Sequence, residues 1–151
     1  MSRIKICGLR RPEDIAAVNE ARPDYCGFIV EYPKSRRSID RATLRELVRG
    51  LREEIVPVGV FVNAPKELVA ELLEEGTIQI AQLHGQESQE YIQELKVLTE
   101  KPLIQAFSIK SKEDVERARE SAADYILLDQ GSGGTVSYTH LRAHETCADL
   151  V

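Results

Sequence analysis

Between residues 3 and 135 the chain alternates, six times over, a short apolar run rich in β-branched residues with a segment of helical periodicity. That alternation leaves few folds open. The runs lie at 4–7, 25–30, 56–62, 78–83, 103–107 and 125–129. None shows the strict polar and apolar alternation of a half-exposed strand, so each reads as a strand covered on both faces. Strand starts separated by roughly 20 to 30 residues are the size of one βα unit, and strict β-α alternation implies parallel strands joined by right-handed crossovers.

The intervening segments carry helix grammar. Leu44, Leu47, Val48 and Leu51 stand at i, i+3, i+4 and i+7 behind Asp40, a residue suited to the N-cap. Pro65 opens a helix with Leu68, Val69, Leu72 and Leu73 on one face, and Gly76 closes it in the left-handed conformation that glycine adopts cheaply. Pro12 starts the first helix. Ser88 precedes the stripe Tyr91, Ile92, Leu95 and Leu98, and Ser111 with Asp114 makes a capping-box pattern before Val115 and Ala118.

An open doubly wound sheet of this kind usually has a glycine-rich phosphate turn after its first strand. Here that turn is Cys7-Gly8-Leu9-Arg10, and no G-x-G-x-x-G occurs anywhere. A (βα)8 barrel is favoured, although such barrels need about 200 to 250 residues and this sequence of 151 supplies about six units. The expected fold is therefore an α/β barrel truncated to six βα units, with 1–135 forming the incomplete barrel domain and 136–151 a tail. Such an arc would leave its first and sixth strands with open edges and expose interior side chains, assigned here to Ile4, Ile6, Ile126 and Leu128. Self-association through those edges is the consequence expected.

A net charge of -5 argues against nucleic acid as a partner, and with no apolar run near the roughly 20 residues of a membrane span, no membrane is expected. With three cysteines lacking framework spacing and no charged-then-apolar leader in the sequence, a reducing cytoplasm is the expected compartment.

In parallel α/β folds, functional groups collect where strands end at their carboxyl termini. Reading those positions in order gives Cys7, the loop Lys34-Ser35-Arg36-Arg37, Asn63, Gln82 with His84, and Asp129. Each has two readings. Cys7 is a small buried hydrophobe or a base or nucleophile. Asp129 is a cap on the next loop or an acid whose burial something must offset. His84 is a packing residue or a ligand contact, without metal-ligand spacing around it. Arg36 and Arg37 are solvated charges or a clamp for a small carboxylate or phosphate.

The series Lys5-Ile6-Cys7-Gly8-Leu9, Gly27-Phe28, Tyr32-Pro33-Lys34-Ser35 with Arg37, Val58-Gly59-Val60-Phe61-Val62-Asn63, Gln82-Leu83-His84-Gly85, Leu127-Leu128-Asp129 and Gly133-Gly134-Thr135 resembles the phosphoribosylanthranilate isomerase family, single-domain (βα)8 barrels of tryptophan biosynthesis. The resemblance implies an Amadori rearrangement of N-(5-phosphoribosyl)anthranilate to 1-(2-carboxyphenylamino)-1-deoxyribulose 5-phosphate, an internal redox isomerisation without cofactor or metal. It also implies roles. Asp129 would be the general acid, Cys7 the base, Arg37 the partner of the anthranilate carboxylate, and His84 and Asn63 would line the pocket. The loop before Tyr32 is one residue longer than in some members, so Arg36 stays open beside Arg37. A different-class alternative is an inactive barrel fragment that associates through its strand edges. An epimerase of the ribulose-phosphate type would need metal-binding histidines and paired carboxylates at the strand ends, a set missing from these strand ends.

After Thr135 the family pattern stops. Residues 136–151 resemble translated sequencing-adapter read-through and read as a non-native or disordered tail. His140 and His144 fall at i and i+4 there, yet no second shell supports a metal reading. In this family's barrels the substrate phosphate is held by loops after the last two strands, so the resemblance implies that the phosphate anchor lies outside the six units.

Overall fold

The computed structural model describes residues 2–129, 137–140 and 145–149. Six parallel strands form its frame: β1 (Arg3–Cys7), β2 (Tyr25–Val30), β4 (Val56–Phe61), β5 (Ile80–Leu83), β6 (Leu103–Ser108) and β7 (Tyr125–Asp129). A two-residue strand, β3 (Ser38–Ile39), pairs with the end of β2. Helices α1 (Pro12–Ala21), α2 (Arg41–Arg49), α3 (Lys66–Glu74), α4 (Gln89–Leu98) and α5 (Lys112–Arg119) fill the connections.

The helix boundaries follow the expected local chemistry. The Asp40 carboxylate accepts the Thr43 N–H at 2.7 Å, and Ser88 Oγ accepts that of Tyr91 at 3.1 Å. Asp114, at the third position of α5, accepts the N–H groups of Lys110 and Ser111 at 2.8 and 3.1 Å. Gly76 follows α3 at φ +83°, the left-handed conformation in which a side chain would be strained. On the surface, Arg41 and Arg45 of α2 pair with Glu71 and Glu75 at the end of α3.

The sheet order β7-β6-β5-β4-β2-β1 is that of successive units laid side by side. It curls. Lys5 on β1 donates to Gln82 Oε1 on β5, although three interstrand spacings, roughly 14 Å along a flat sheet, separate those strands. Only an arc brings them together, and the frame is a six-stranded parallel half-barrel.

Two apolar layers result. Between sheet and helices lie Cys26, Phe28, Phe61, Leu72, Leu73, Ile92, Leu95 and their neighbours, while the concave face carries Tyr25, Val58, Ile80, Ile104, Ala106 and Leu127. The registers Lys5↔Tyr25, Cys7↔Gly27, Ala106↔Leu127 and Ser108↔Asp129 place Lys5, Cys7 and Asp129 on that concave face. This corrects the assignment of interior residues. Ile6 packs against the sheet–helix layer, Ile4 is half exposed outside, and Ile126 and Leu128 alternate with the concave Tyr125 and Leu127.

The edges of the arc also differ from expectation. β8 (Ser137–His140) pairs antiparallel with β7, and β9 (Glu145–Asp149) pairs parallel with β1. The rest of the segment assigned to a tail, 136, 141–144 and 150–151, lies outside the described residues.

Candidate active site

Cys7 ends β1 and is 5% exposed. The turn after it is pinned, because the N–H groups of Gly8 and Leu9 both donate to the Gly27 carbonyl, at 3.0 and 3.2 Å. Gly8 has φ +92°, and a Cβ there would meet Arg37 Cδ at 2.7 Å. Glycine is therefore required twice over, for backbone and for space. The result is an arginine side chain laid across the end of β1 beside Cys7.

The loop that delivers Arg37 is held by β3. Glu31 donates its N–H to the Ile39 carbonyl at 2.8 Å, Tyr32 N–H donates to Ser38 Oγ at 2.7 Å, and Arg37 N–H donates to Ser35 Oγ at 3.2 Å. Arg36, by contrast, is exposed, and its carbonyl accepts Arg10 at 2.9 Å. Cys7, Gly8, Arg10, Arg11, Arg36 and Arg37 share a cavity of about 420 Å³ with Leu9 and Asp14. Four guanidinium groups against one carboxylate make it a place for an anion.

Gly27 faces Cys7 across the β1–β2 ladder, and a Cβ on it would lie 2.6 Å from Cys7 Sγ and 3.0 Å from Lys5 Cε. The buried thiol of Cys26, on the opposite face of β2, is pushed up to about 12 by desolvation and by Cys7, with Lys5 acting in the other direction. It stays protonated at neutral pH and belongs to the core.

At the far end of the arc His84 follows β5 and Asp129 ends β7. His84 Nε2 stands 3.8 Å from Asp129 Oδ2, and Gln82 Nε2 lies 3.2 Å from His84 Nδ1. With the Lys5 to Gln82 contact, a polar chain runs Lys5, Gln82, His84, Asp129 across the concave face. Lys5 is 4% and Gln82 3% exposed. His84 also lines a cavity of about 650 Å³ with Gln105, Phe107, Ser108 and Arg117.

Asn63 is placed differently from the other candidates. Its φ is +50°, its Oδ1 accepts the Gln86 N–H at 2.8 Å, and its own N–H donates to Glu87 Oε2 at 2.8 Å. Glu87 Oε1 accepts from Gly85 N–H at 2.8 Å, so Glu87 and Asn63 lace the loop after β4 to the loop after β5. Asn63 lines a separate cavity with Glu31, Arg41, Glu67 and Glu71. The structure thus gathers Cys7 with Arg37, and His84 with Asp129, on one rim and gives Asn63 a loop-bracing geometry. Among the described residues no cluster of three or more His, Cys, Asp or Glu is arranged for a metal, and no helix is long and apolar enough to cross a membrane.

Sequence reasoning gave no role to Lys5 or Glu87. Lys5 was legible in principle, since it shares the parity of Cys7 on a strand covered on both faces, where a lysine needs a buried partner. Glu87 sits in a loop without periodicity, and nothing local marks it.

Comparison with known proteins agrees with this frame. A family model described as N-(5'phosphoribosyl)anthranilate (PRA) isomerase matches residues 4–143. The N-(5'-phosphoribosyl)anthranilate isomerase of Caldanaerobacter subterraneus subsp. tengcongensis is 42% identical over 139 residues, covering 89% of this chain and 66% of that protein. The phosphoribosyl anthranilate isomerase of Thermus thermophilus superposes with a TM-score of 0.72 at 37% identity, over 88% of this chain and 66% of the other. A phosphoribosyl anthranilate isomerase crystallised with reduced 1-(o-carboxyphenylamino)-1-deoxyribulose 5-phosphate superposes with a TM-score of 0.74 at 35% identity, over 85% of this chain and 65% of the other. The chain thus spans about two thirds of the length of these relatives. Its six parallel strands and five intervening helices match the corresponding part of their barrels, and the chain belongs to the N-(5'-phosphoribosyl)anthranilate isomerase family.

Proposed function

We propose that these units carry the reacting end of a phosphoribosylanthranilate isomerase site, which rearranges N-(5'-phosphoribosyl)anthranilate to 1-(2-carboxyphenylamino)-1-deoxyribulose 5-phosphate in tryptophan biosynthesis. The observation that carries the reading is a thiol and a carboxylate, Cys7 and Asp129, ending the first and last strands of the arc on its concave face, with a guanidinium laid beside the thiol.

The chemistry asks for two proton transfers. Asp129, protonated, gives its proton to the furanose ring oxygen as the C1–O bond breaks, and the anilino nitrogen lone pair forms the iminium. Cys7, as thiolate, removes the C2 proton that the iminium has acidified, and the electron pair left at C2 forms the enamine. Tautomerisation of that enol-amine yields the ketose. Arg37 pairs with the anthranilate carboxylate in the arginine-lined cavity, while His84 lies against the acid. Asn63 acts on the pocket by bracing the loops after β4 and β5. No cofactor takes part in this scheme. The substrate phosphate is assigned to barrel units beyond the six, whose remote binding energy would normally orient the reacting end.

The reading places the enzyme in the cytoplasm, with 1–135 as its barrel portion and 136–151 as a tail. A second reading is favoured by the sheet order, in which β8 and β9 are the terminal strands: an inactive barrel fragment that associates with other chains through those edges. Loss of substrate fluorescence separates the two. Turnover by the folded chain that falls at least about a hundredfold in Asp129→Asn supports the isomerase. A folded chain without turnover assigns it to the fragment reading, and unchanged turnover in Asp129→Asn removes Asp129 from the acid's role.

A further inference from the structure

We propose that Lys5 is a positioning residue that sets the proton position on His84, and through it the electrostatic surroundings of Asp129, by fixing the orientation of the Gln82 amide.

The argument is one of donor and acceptor inventory. A lysine ammonium carries donors only, so the Gln82 atom that Lys5 touches must be the carbonyl oxygen, Oε1. That choice sends the Gln82 NH2 the other way, to His84 Nδ1 at 3.2 Å. An NH2 group donates, so Nδ1 has to accept, and a neutral imidazole then holds its proton on Nε2. Nε2 is the nitrogen facing Asp129 Oδ2 at 3.8 Å. Every donor in the chain therefore points from β1 towards β7, and the cation at one end fixes the sense of all the others. Lys5 and Gln82 are both buried, so water competes poorly for either contact.

The proposal rests on the reading of Asp129 as the acid, and gives it a consequence. An Nε2–H facing Oδ2 at 3.8 Å disfavours a proton on that oxygen through its dipole and leaves Oδ1 to carry the proton towards substrate. Lys5 also stands beside the base, since Lys5 Cε and Cys7 Sγ lie within 3.0 Å of the same point over Gly27. One buried cation thus touches the environment of both reacting groups.

Long-range proton–nitrogen correlation spectra of the 15N-labelled chain test this without an activity measurement, with His84 identified by its loss in His84→Gln. In the unsubstituted protein above the imidazole titration, His84 shows a pyrrole-type Nε2 and a pyridine-type Nδ1. In Lys5→Met that preference falls by about tenfold, the scale set by one hydrogen bond. Gln82→Leu breaks the chain at its second member with Lys5 in place, gives the same loss, and serves if Lys5→Met does not fold. An Nδ1–H tautomer in the unsubstituted protein overturns the proposal, as does an unchanged tautomer in a folded variant of either kind. The expected tautomers in a chain without turnover leave the proton positions assigned and defeat only the catalytic reading.

Discussion

Adding one methyl group at Gly27 tests the site's packing most directly. The new Cβ would stand 2.6 Å from Cys7 Sγ and 3.0 Å from Lys5 Cε, where comfortable contact is about 3.5 to 4.0 Å. Sγ must then retreat by about 1 Å, and both neighbours are buried, with Lys5 tied to Gln82. Overpacking of this kind costs roughly 1 to 3 kcal/mol, while loss of unfolded-state freedom on Gly→Ala returns about 0.4 to 1 kcal/mol. The net is a destabilisation of up to about 2.6 kcal/mol, or at most roughly 10 °C in Tm for a chain of this size. Displacing a reacting atom by 1 Å costs about a hundredfold in rate. Gly59→Ala is the matched control, because its Cβ would meet Ile78 Cδ1 and Phe61 Cε2, both at 2.8 Å, in the sheet–helix layer. Thermal melts should show similar losses for the two variants, and the fluorescence assay should show a hundredfold loss of kcat for Gly27→Ala alone. Equal effects on turnover, or Gly27→Ala with unsubstituted kinetics, would refute the placement of Cys7 at the reacting centre.

Three further outcomes follow from the geometry. Arg37→Ala should raise KM roughly 10- to 100-fold, as loss of a charge-assisted pair does, while Arg36→Ala stays within about threefold; the reverse order would move the carboxylate contact to Arg36. Glu87→Ala leaves the buried-side donors of Asn63 and Gly85 without their acceptor, and urea unfolding should register a loss of about 2 to 4 kcal/mol. The Thr43 N–H holds Asp40 below the usual carboxylate range, and the Lys110 N–H, with Arg117, does the same for Asp114. Stability from a depressed carboxylate is fully present above its unfolded value near 3.8 and is lost as pH falls through the depressed one. Urea midpoints of Asp40→Ala and the unsubstituted chain should therefore differ at pH 6 and converge well below pH 3.8; a difference independent of pH would contradict the ionised cap.

The fold was legible because its signals are local. All six parallel strands lie where the apolar runs place them, Asp40 and Ser88 cap the helices they precede, and Asp114 caps α5 from its third position. What failed was parity. A strand covered on both faces offers no polar alternation, so Ile4 and Ile6 were assigned to the concave side that Lys5 and Cys7 occupy. The polar residues held the answer, since Cys7 and Asp129 cannot share a rim with Ile6 and Leu128 as their inward neighbours. β3 escaped notice because two residues have no period, and β8 and β9 because their segment lacks strand-bounding signals. At the rim, residue type and strand position singled out Cys7, His84 and Asp129 as strand-end groups, and they lie at the ends of β1, β5 and β7. The bracing geometry of Asn63 was not legible, because its backbone conformation and its bond to Gln86 are set by a loop 23 residues away.

The contact between Lys5 and Gln82 has a meaning for the order in which the chain assembles. Neighbouring strands of the arc are consecutive units, so each can dock on the last soon after it is made, with little loop to close. Lys5 and Gln82 are 77 residues apart. Their meeting requires β2, β4 and β5 in register and the sheet already bent, so it reports completion of the curl and cannot precede it. In a refolding time course the helices and strand pairs should gain exchange protection first, and the burial of Lys5 should mark a later event.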